Sequence, residues 1–424
     1  MKSTKMYKIV SLLLLLFGKL SLCAKEVKPA LLVYGSNIEA FTAAIQSARS
    51  NVPTLWIMGT HRLVEELTLR PLKITANQGL DGGIWMDLLM ASALNDGVSD
   101  SLAQAVKKGV NPTLMLHAME RMMGKEKQLT VLRNERVASL ERNKHDWAVV
   151  LENGKKYDVR AIVDASPDGE LANEVVKSQV SLGTVTLRKA SVLTPKEVRT
   201  TVAVGEYRDS CYTLLVKDIL SQNFQELFFT KSLMPATDTE SIPLRAHIGQ
   251  AVGALVAYCA FFKTTADKVD VRKLQTELMG FGARLLPWKD VSVKDPNYAV
   301  IQNGYLATIL EGKEGNQLFD RKDSVAVDSV KSIFNQLYSR SQLWFLDNTA
   351  DYFTLKDLLS FVKFVSFRGN EVDEQVQKDW EKRLKFEGEY DLARTVTRYE
   401  FLVLVDKYAN PCAKAVTVGG DIIR

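Results

Sequence analysis

Cysteine, histidine and net charge are all in short supply in this chain of 424 residues, and each shortage removes a class of function. Of four cysteines, Cys23 belongs to an N-terminal segment considered below, and Cys211, Cys259 and Cys412 stand far apart. Scattered in this way they make neither a disulfide framework nor a metal knuckle, and one bridge in an oxidising compartment would leave a thiol free. Cys259, inside AVGALVAYCAFF, reads as a core residue. Of four histidines, His117 lies beside Met115 and Met119 on a helical stretch and reads as structural, while His145 falls in the polar hairpin RNKHDW. No metal site is expected.

The formal charge is +5, and residues 1–24 hold Lys2, Lys5, Lys8 and Lys19 without an acid, so the remainder carries only +1. That gives no support to a nucleic-acid partner, which calls for a basic excess. What is present is a 46% hydrophobic composition, enough for two or three packed cores and too much for a disordered chain.

Long apolar runs are missing apart from residues 9–17, which are short for a membrane span. Three lysines precede that run, and Ser21, Cys23 and Ala24 follow it, the layout of a secretory signal peptide. Residues 1–24 are expected to direct export, to the periplasm, the medium or the cell surface. An uncleaved anchor is the alternative, and LSLC ending at Cys23 could be a lipoprotein site, with Leu22 bulky for that role.

Residues 31–34 form a short apolar run, 38–48 place Ala40, Ala43, Ala44 and Ala48 at helical spacing, and TLWIM at 54–58 is a second apolar run. Strand, glycine turn, small-residue helix and strand make a βαβ unit. A dinucleotide turn of the G-x-G-x-x-G type wants glycine for the bend, for backbone approach to phosphate and for helix packing. Here only Gly35 remains; Asn37 puts a side chain where phosphate would lie, and Ala40 suits the third position. Glu39 in the first helical turn would compete with a phosphate for the helix field. No acid follows the second strand, where Met58 stands, which disfavours an NAD-dependent enzyme.

Residues 111–123 read as a helix with Pro112 in its first turn. LTVLRNERVASLERN, DWAVVLEN and KKYDVRAIVDAS read as antiparallel strands joined by a turn at ENGKK, followed by a return to the main sheet. Residues 244–262 form a helix apolar nearly all round, and from about 264 amphipathic helices take over, with capping-box patterns at TLKD (354) and TRYE (397).

VRAIVDASPDGELA at 159–172 resembles the vIDATGDGDLA segment of secreted bacterial FAD-dependent oxidoreductases. Residues 31–49 are similar to that family's GGTPAG turn, and IGQAVGALVAYCA at 248–260 to its lGQAAGtAAAlA helix. The resemblance implies an α/β fold: a Rossmann-like three-layer FAD-binding domain over residues 25–265, with an antiparallel β insertion and a substrate insertion reduced to about 183–226. A helical C-terminal domain over 266–424 would follow. It implies FAD as cofactor, with Gly35, Ser36, Asn37 and Ala40 lining the pyrophosphate and Asp164, Gly169, Gly249 and Gln250 around the cofactor. His247 and Arg245, at the start of a helix aimed at the flavin, are the candidate catalytic residues for hydride transfer from a small organic substrate. An iron–sulfur cluster is not expected.

The chain also departs from the family pattern. THRLVEELTLR replaces a glycine-rich stretch, Ser166-Pro167 replaces the threonine-glycine of DATG, and ELFFTKS lacks an expected glycine and arginine. The alternative is therefore a non-catalytic relative serving as a surface binding or scaffold protein. The C-terminal part is faintly similar to S-layer homology modules, which implies contact with a cell-surface or cell-wall polymer.

Overall fold

A computed structural model describes residues 28–175, 184–221, 223–231, 234 and 237–423. The features read from residues 1–24 lie outside these. β1 (Leu31–Tyr34), α1 (Ile38–Arg49) and β2 (Thr54–Met58) form the expected βαβ unit, with β1 and β2 parallel from Leu31 opposite Thr54 to Tyr34 opposite Ile57. β3 (Leu129–Arg133) adds to β2, and β7 (Ala161–Asp164) to the other side of β1, both in parallel. β12 (Leu227–Phe229) lies beyond β7, and β11 (Asn223–Phe224) turns back along it, giving the order β11–β12–β7–β1–β2–β3.

β1 and β2 are buried on both faces, which is why they read as unbroken apolar runs. Alternate residues serve different layers. Leu31, Val33, Trp56 and Met58 join the core under the helices, whereas Leu32, Tyr34, Leu55 and Ile57 pack against a small antiparallel sheet. That sheet is β4 (Val137–Asn143), β5 (Asp146–Leu151) and β6 (Lys156–Val159), the antiparallel insertion expected from the sequence. A third sheet pairs β8 (Arg188–Lys189), β9 (Thr201–Tyr207) and β10 (Ser210–Leu215) in the order β8–β10–β9.

Between β2 and β3 run α2 (Glu65–Thr68), α3 (Gly83–Ser92), α4 (Asp100–Lys107) and α5 (Pro112–Lys125). Asn111 caps α5 by accepting from the Thr113 and Leu114 N–H groups, and Pro112 sits in the first turn, where its missing N–H costs nothing. His117, read as structural, is exposed on this helix.

The apolar helix α6 (Ile242–Phe262) lies directly on α1. Two glycines permit the approach: a Cβ at Gly253 would stand 2.6 Å from Ala43 O, and one at Gly249 would overlap Glu39 O and the Thr42 hydroxyl. Ser47 Oγ donates to Gly253 O at 3.1 Å across the same contact.

The C-terminal region repeats one unit three times. Short extended segments bridge in a ring, Ser324 with Thr397, Ala326 with Tyr352 and Thr354 with Thr395. They lead into α7 (Val327–Leu337), α8 (Leu355–Ser366) and α9 (Arg398–Ala409). Thr354 with Asp357 and Thr397 with Glu400 form full capping boxes, whereas α7 begins after Ala326 with no side-chain cap. Phe334 of α7 joins the three helices, its ring 4.7 Å from that of Phe361 and 6.3 Å from that of Phe401.

The α1–α6 contact generates a stability prediction. Gly253→Val should destabilise by about 1–3 kcal/mol, the usual cost of overpacking. Gly124→Ala, on open helix surface with nothing within 4 Å, should be neutral or stabilising. Denaturant midpoints check both, and equal midpoints for the two variants would refute the tight contact.

Candidate functional site

Gly35 ends β1 with φ of +132°, and a Cβ there would come 2.8 Å from the Ala165 backbone, so only glycine fits the bend. Its carbonyl accepts from Trp56 Nε1 at 2.8 Å. Asn37 adopts ordinary extended backbone and caps α1: Oδ1 accepts from Ala40 N–H at 2.9 Å, while Nδ2 donates to Ala165 O at 2.7 Å. The Asn37 side chain thus binds the two βα turns of the sheet to each other.

A second group occupies the same helix terminus. Glu66, from α2, accepts from Ile38 N–H at 2.9 Å. α2 is held over the turn by Val64, whose N–H donates to Ser36 O at 2.9 Å while its φ of +44° is costly for a β-branched residue. Arg245 of α6 closes the cluster. Its Nε and Nη2 donate to the two Glu39 oxygens at 2.6 Å each, and Nη2 also reaches Glu66 at 3.2 Å. Arg245 and Glu39 are buried. Burial lifts the Glu66 carboxyl above its usual range and the Glu39 charge adds to this, against the pull of Arg245 and the Ile38 N–H.

On the neighbouring loop, Asp164 Oδ1 accepts from Ser166 N–H at 3.0 Å and Ser166 Oγ at 2.5 Å, and Ser166 Oγ accepts from Glu170 N–H at 2.7 Å. Gly169 takes the left-handed backbone of that turn at φ +65°. Tyr34 donates to Glu170 Oε2 at 2.8 Å, which together with burial pushes its phenol up.

Gln250 ties three helices. Its Nε2 donates to Gln46 Oε1 at 2.9 Å and its Oε1 accepts from Ile84 N–H at 3.1 Å. Gly249 lies in the α1–α6 contact. His247, in the second turn of α6, is buried with Nδ1 2.7 Å from Val204 O. Val204 O can only accept, so Nδ1 carries the proton, and the Gly82 backbone also acts on the ring.

Beside His247 is a polar cluster that sequence reasoning missed. Lys107 Nζ, fully buried, meets Asp81 Oδ2 at 2.6 Å and donates to the Ala76 and Asn77 carbonyls. Asp81 Oδ1 also accepts from Asn77 Nδ2 and Trp85 Nε1. The glycine pair after Asp81, opening α3, was the available signal for it. Glu66 had none, since VEELT reads as an ordinary charged stretch.

The pyrophosphate of FAD does not fit the turn in this arrangement. The helix N–H groups that would receive it are engaged by Glu66 and Asn37, and the Glu66 carboxylate would repel its charge. Arg245 is likewise committed to Glu39 and Glu66.

Burial lowers the His247 pKa below 6.5, against the attraction of Asp81 and with the repulsion of Lys107. The unfolded chain then binds a proton that the folded chain refuses, so stability falls as pH drops below about 6.5, by at most about 1.4 kcal/mol per unit. His247→Gln should flatten that slope between pH 7 and 5.5 in chemical denaturation; an unchanged slope would rule out the assignment.

Residues 30–175 match the family model described as FAD dependent oxidoreductase. No curated protein matches the chain. Among solved structures, bacillithiol disulfide reductase Bdr from Staphylococcus aureus is similar at 17% identity over 33% of this chain and 38% of its own, with a TM-score of 0.23. A flavin-containing monooxygenase from Stenotrophomonas maltophilia shows 17% identity over 32% of this chain and 37% of its own, with a TM-score of 0.24. A mutant of P. aeruginosa PqsL shows 10% identity over 60% of this chain and 90% of its own, with a TM-score of 0.33. The chain spans well under half the length of the first two. The parallel central sheet and the family match over 30–175 together give a Rossmann-like, flavin-oxidoreductase-like fold, followed by a helical C-terminal region.

Proposed function

We propose that this protein keeps the flavin-oxidoreductase-like fold but works by binding rather than by hydride transfer, as an exported, cell-surface binding or scaffold protein. The observation that carries this reading is the Glu66 carboxylate on the Ile38 N–H, locked there with Glu39 by the buried Arg245 guanidinium. A phosphate entering this turn would have to displace a carboxylate already held by the Ile38 N–H and by Arg245. The threefold C-terminal repeat supplies a second, independent part on which a surface polymer could be bound. The lysines and apolar run of residues 1–24 support export.

The rival reading is a flavoenzyme acting on a small organic substrate, and the family match over 30–175 is what favours it. Asp164, Gly169, Gln250, Arg245 and His247 hold the fold together in the structure, so in that reading Glu66 and Asn37 must leave the turn first.

Purified protein lacking residues 1–24, incubated with excess FAD and desalted, should remain colourless. Retained bands near ~370 and ~450 nm, those of an oxidised flavin, would overturn the binding-protein reading. Glu39→Gln should lower stability by about 3–5 kcal/mol, since it breaks a buried ion pair and leaves Arg245 undercompensated; a thermal or denaturant midpoint equal to that of the parent would show that the cluster is not what closes the turn.

A further inference from the structure

α6 runs in the same direction as α1, since Gly249 lies against Glu39 and Gly253 against Ala43, and the two helices end together. Ser50, which closes α1, lines a slot of about 350 Å³ with Tyr258, Phe261 and Phe262 from the end of α6 and with Lys273 of the helix Val271–Gly280. Phe261 and Phe262 are 57% and 55% exposed. The three rings touch in a row, with centroids 4.5 Å apart from Tyr258 to Phe262 and 5.0 Å apart from Phe261 to Phe262. The other apolar side chains of α6 are buried, so this aromatic tip is a patch that the fold leaves to water.

The parallel strands start at the same end of the molecule: Leu31 stands opposite Thr54 and Ala161, and Thr54 opposite Leu129. Ala30 N–H donates to Pro53 O at 2.8 Å, close in sequence to Ser50. On the side of the small antiparallel sheet, the exposed Lys28, Lys155 and Lys156 line a groove of about 520 Å³, with Asp158 as the acid among its lining residues. The chain before Lys28 therefore joins the fold between an aromatic tip and a basic groove. It includes the apolar run 9–17, which a fully extended link would leave within about 40 Å of Lys28. An apolar segment engaged in a bilayer would hold this end of the fold, and not the end that carries the Gly35 turn, against the lipid. Aromatic rings enter the boundary between headgroups and acyl chains, and lysines near an anionic surface are attracted to it.

We propose that this end of the fold rests on an anionic phospholipid bilayer, with Tyr258, Phe261 and Phe262 in the interface and Lys28, Lys155 and Lys156 over the headgroups. This deepens the cell-surface reading above and rests on it for the location. Vesicle binding reads the surface itself and the visible spectrum reads the βα turn, so the two fail separately.

The test is flotation of the protein lacking residues 1–24 with vesicles of phosphatidylcholine, alone or with about one-third phosphatidylglycerol. Binding to the mixed vesicles should exceed that to phosphatidylcholine by about tenfold or more and should fall as salt rises. Phe261→Ser with Phe262→Ser should weaken it by about tenfold or more, the scale of two half-exposed rings taken out of water. Lys155→Gln with Lys156→Gln should remove most of the preference for the anionic lipid. Leu69→Ser, 61% exposed just after α2 at the opposite end of the fold, should leave binding unchanged. All these side chains face water, so the variants keep the fold. Absence of binding to the mixed vesicles, binding that survives the double serine variant, or a dimer of the parent that the serine variant abolishes would overturn the proposal.

Discussion

The buried Arg245 guanidinium is met by two carboxylates, and much of the N-terminal fold follows from how that is done. Its partners, Glu39 and Glu66, come from α1 and α2, which are separated by the whole of β2. They converge only because α6 lies on α1 at glycine distance, with Gly249 and Gly253 removing the Cβ atoms that would hold the helices apart. Arg245 stands one turn before Gly249 on α6, so the close contact and the ion cluster are one arrangement. The partial positive charge at the α1 N-terminus, which in a dinucleotide-binding turn attracts phosphate, is spent on Glu66.

The chain resolves its buried charges in two ways. In the N-terminal part they are matched internally: Arg245 with two carboxylates, and Lys107 with Asp81 and two carbonyls. Arg199, just before β9, and Arg398, at the start of α9, donate instead to neutral oxygens. The first arrangement fills the N-terminal turn of α1 with the chain's own side chains.

Several features of the turn were legible in the residues. The single glycine of GSNIEA, the small face of α1 and the apolar β1 and β2 runs foretold the βαβ unit, because strand burial and helix packing leave a periodic signature. Asn37 was foreseen as an obstruction, and its side chain does bind across the turn to Ala165 O. Glu39 was foreseen as a rival to phosphate, yet it faces Arg245 instead, and Gly249 and Gln250, read as cofactor neighbours, lie in helix contacts. Glu66 could not be found, since a carboxylate 31 residues after Gly35 acquires meaning only from a fold that brings it to the Ile38 N–H.

By itself the sequence determined the βαβ unit, the antiparallel insertion and the capping boxes at Thr354 and Thr397, all of which depend on neighbours a few residues apart. Tertiary structure alone decided which charges meet. Long-range pairing of Arg245 with Glu39 across 206 positions arises from helix packing that no local pattern encodes. Electrostatics in a buried site depends on distance in space, and the chain sets that distance only once it has folded.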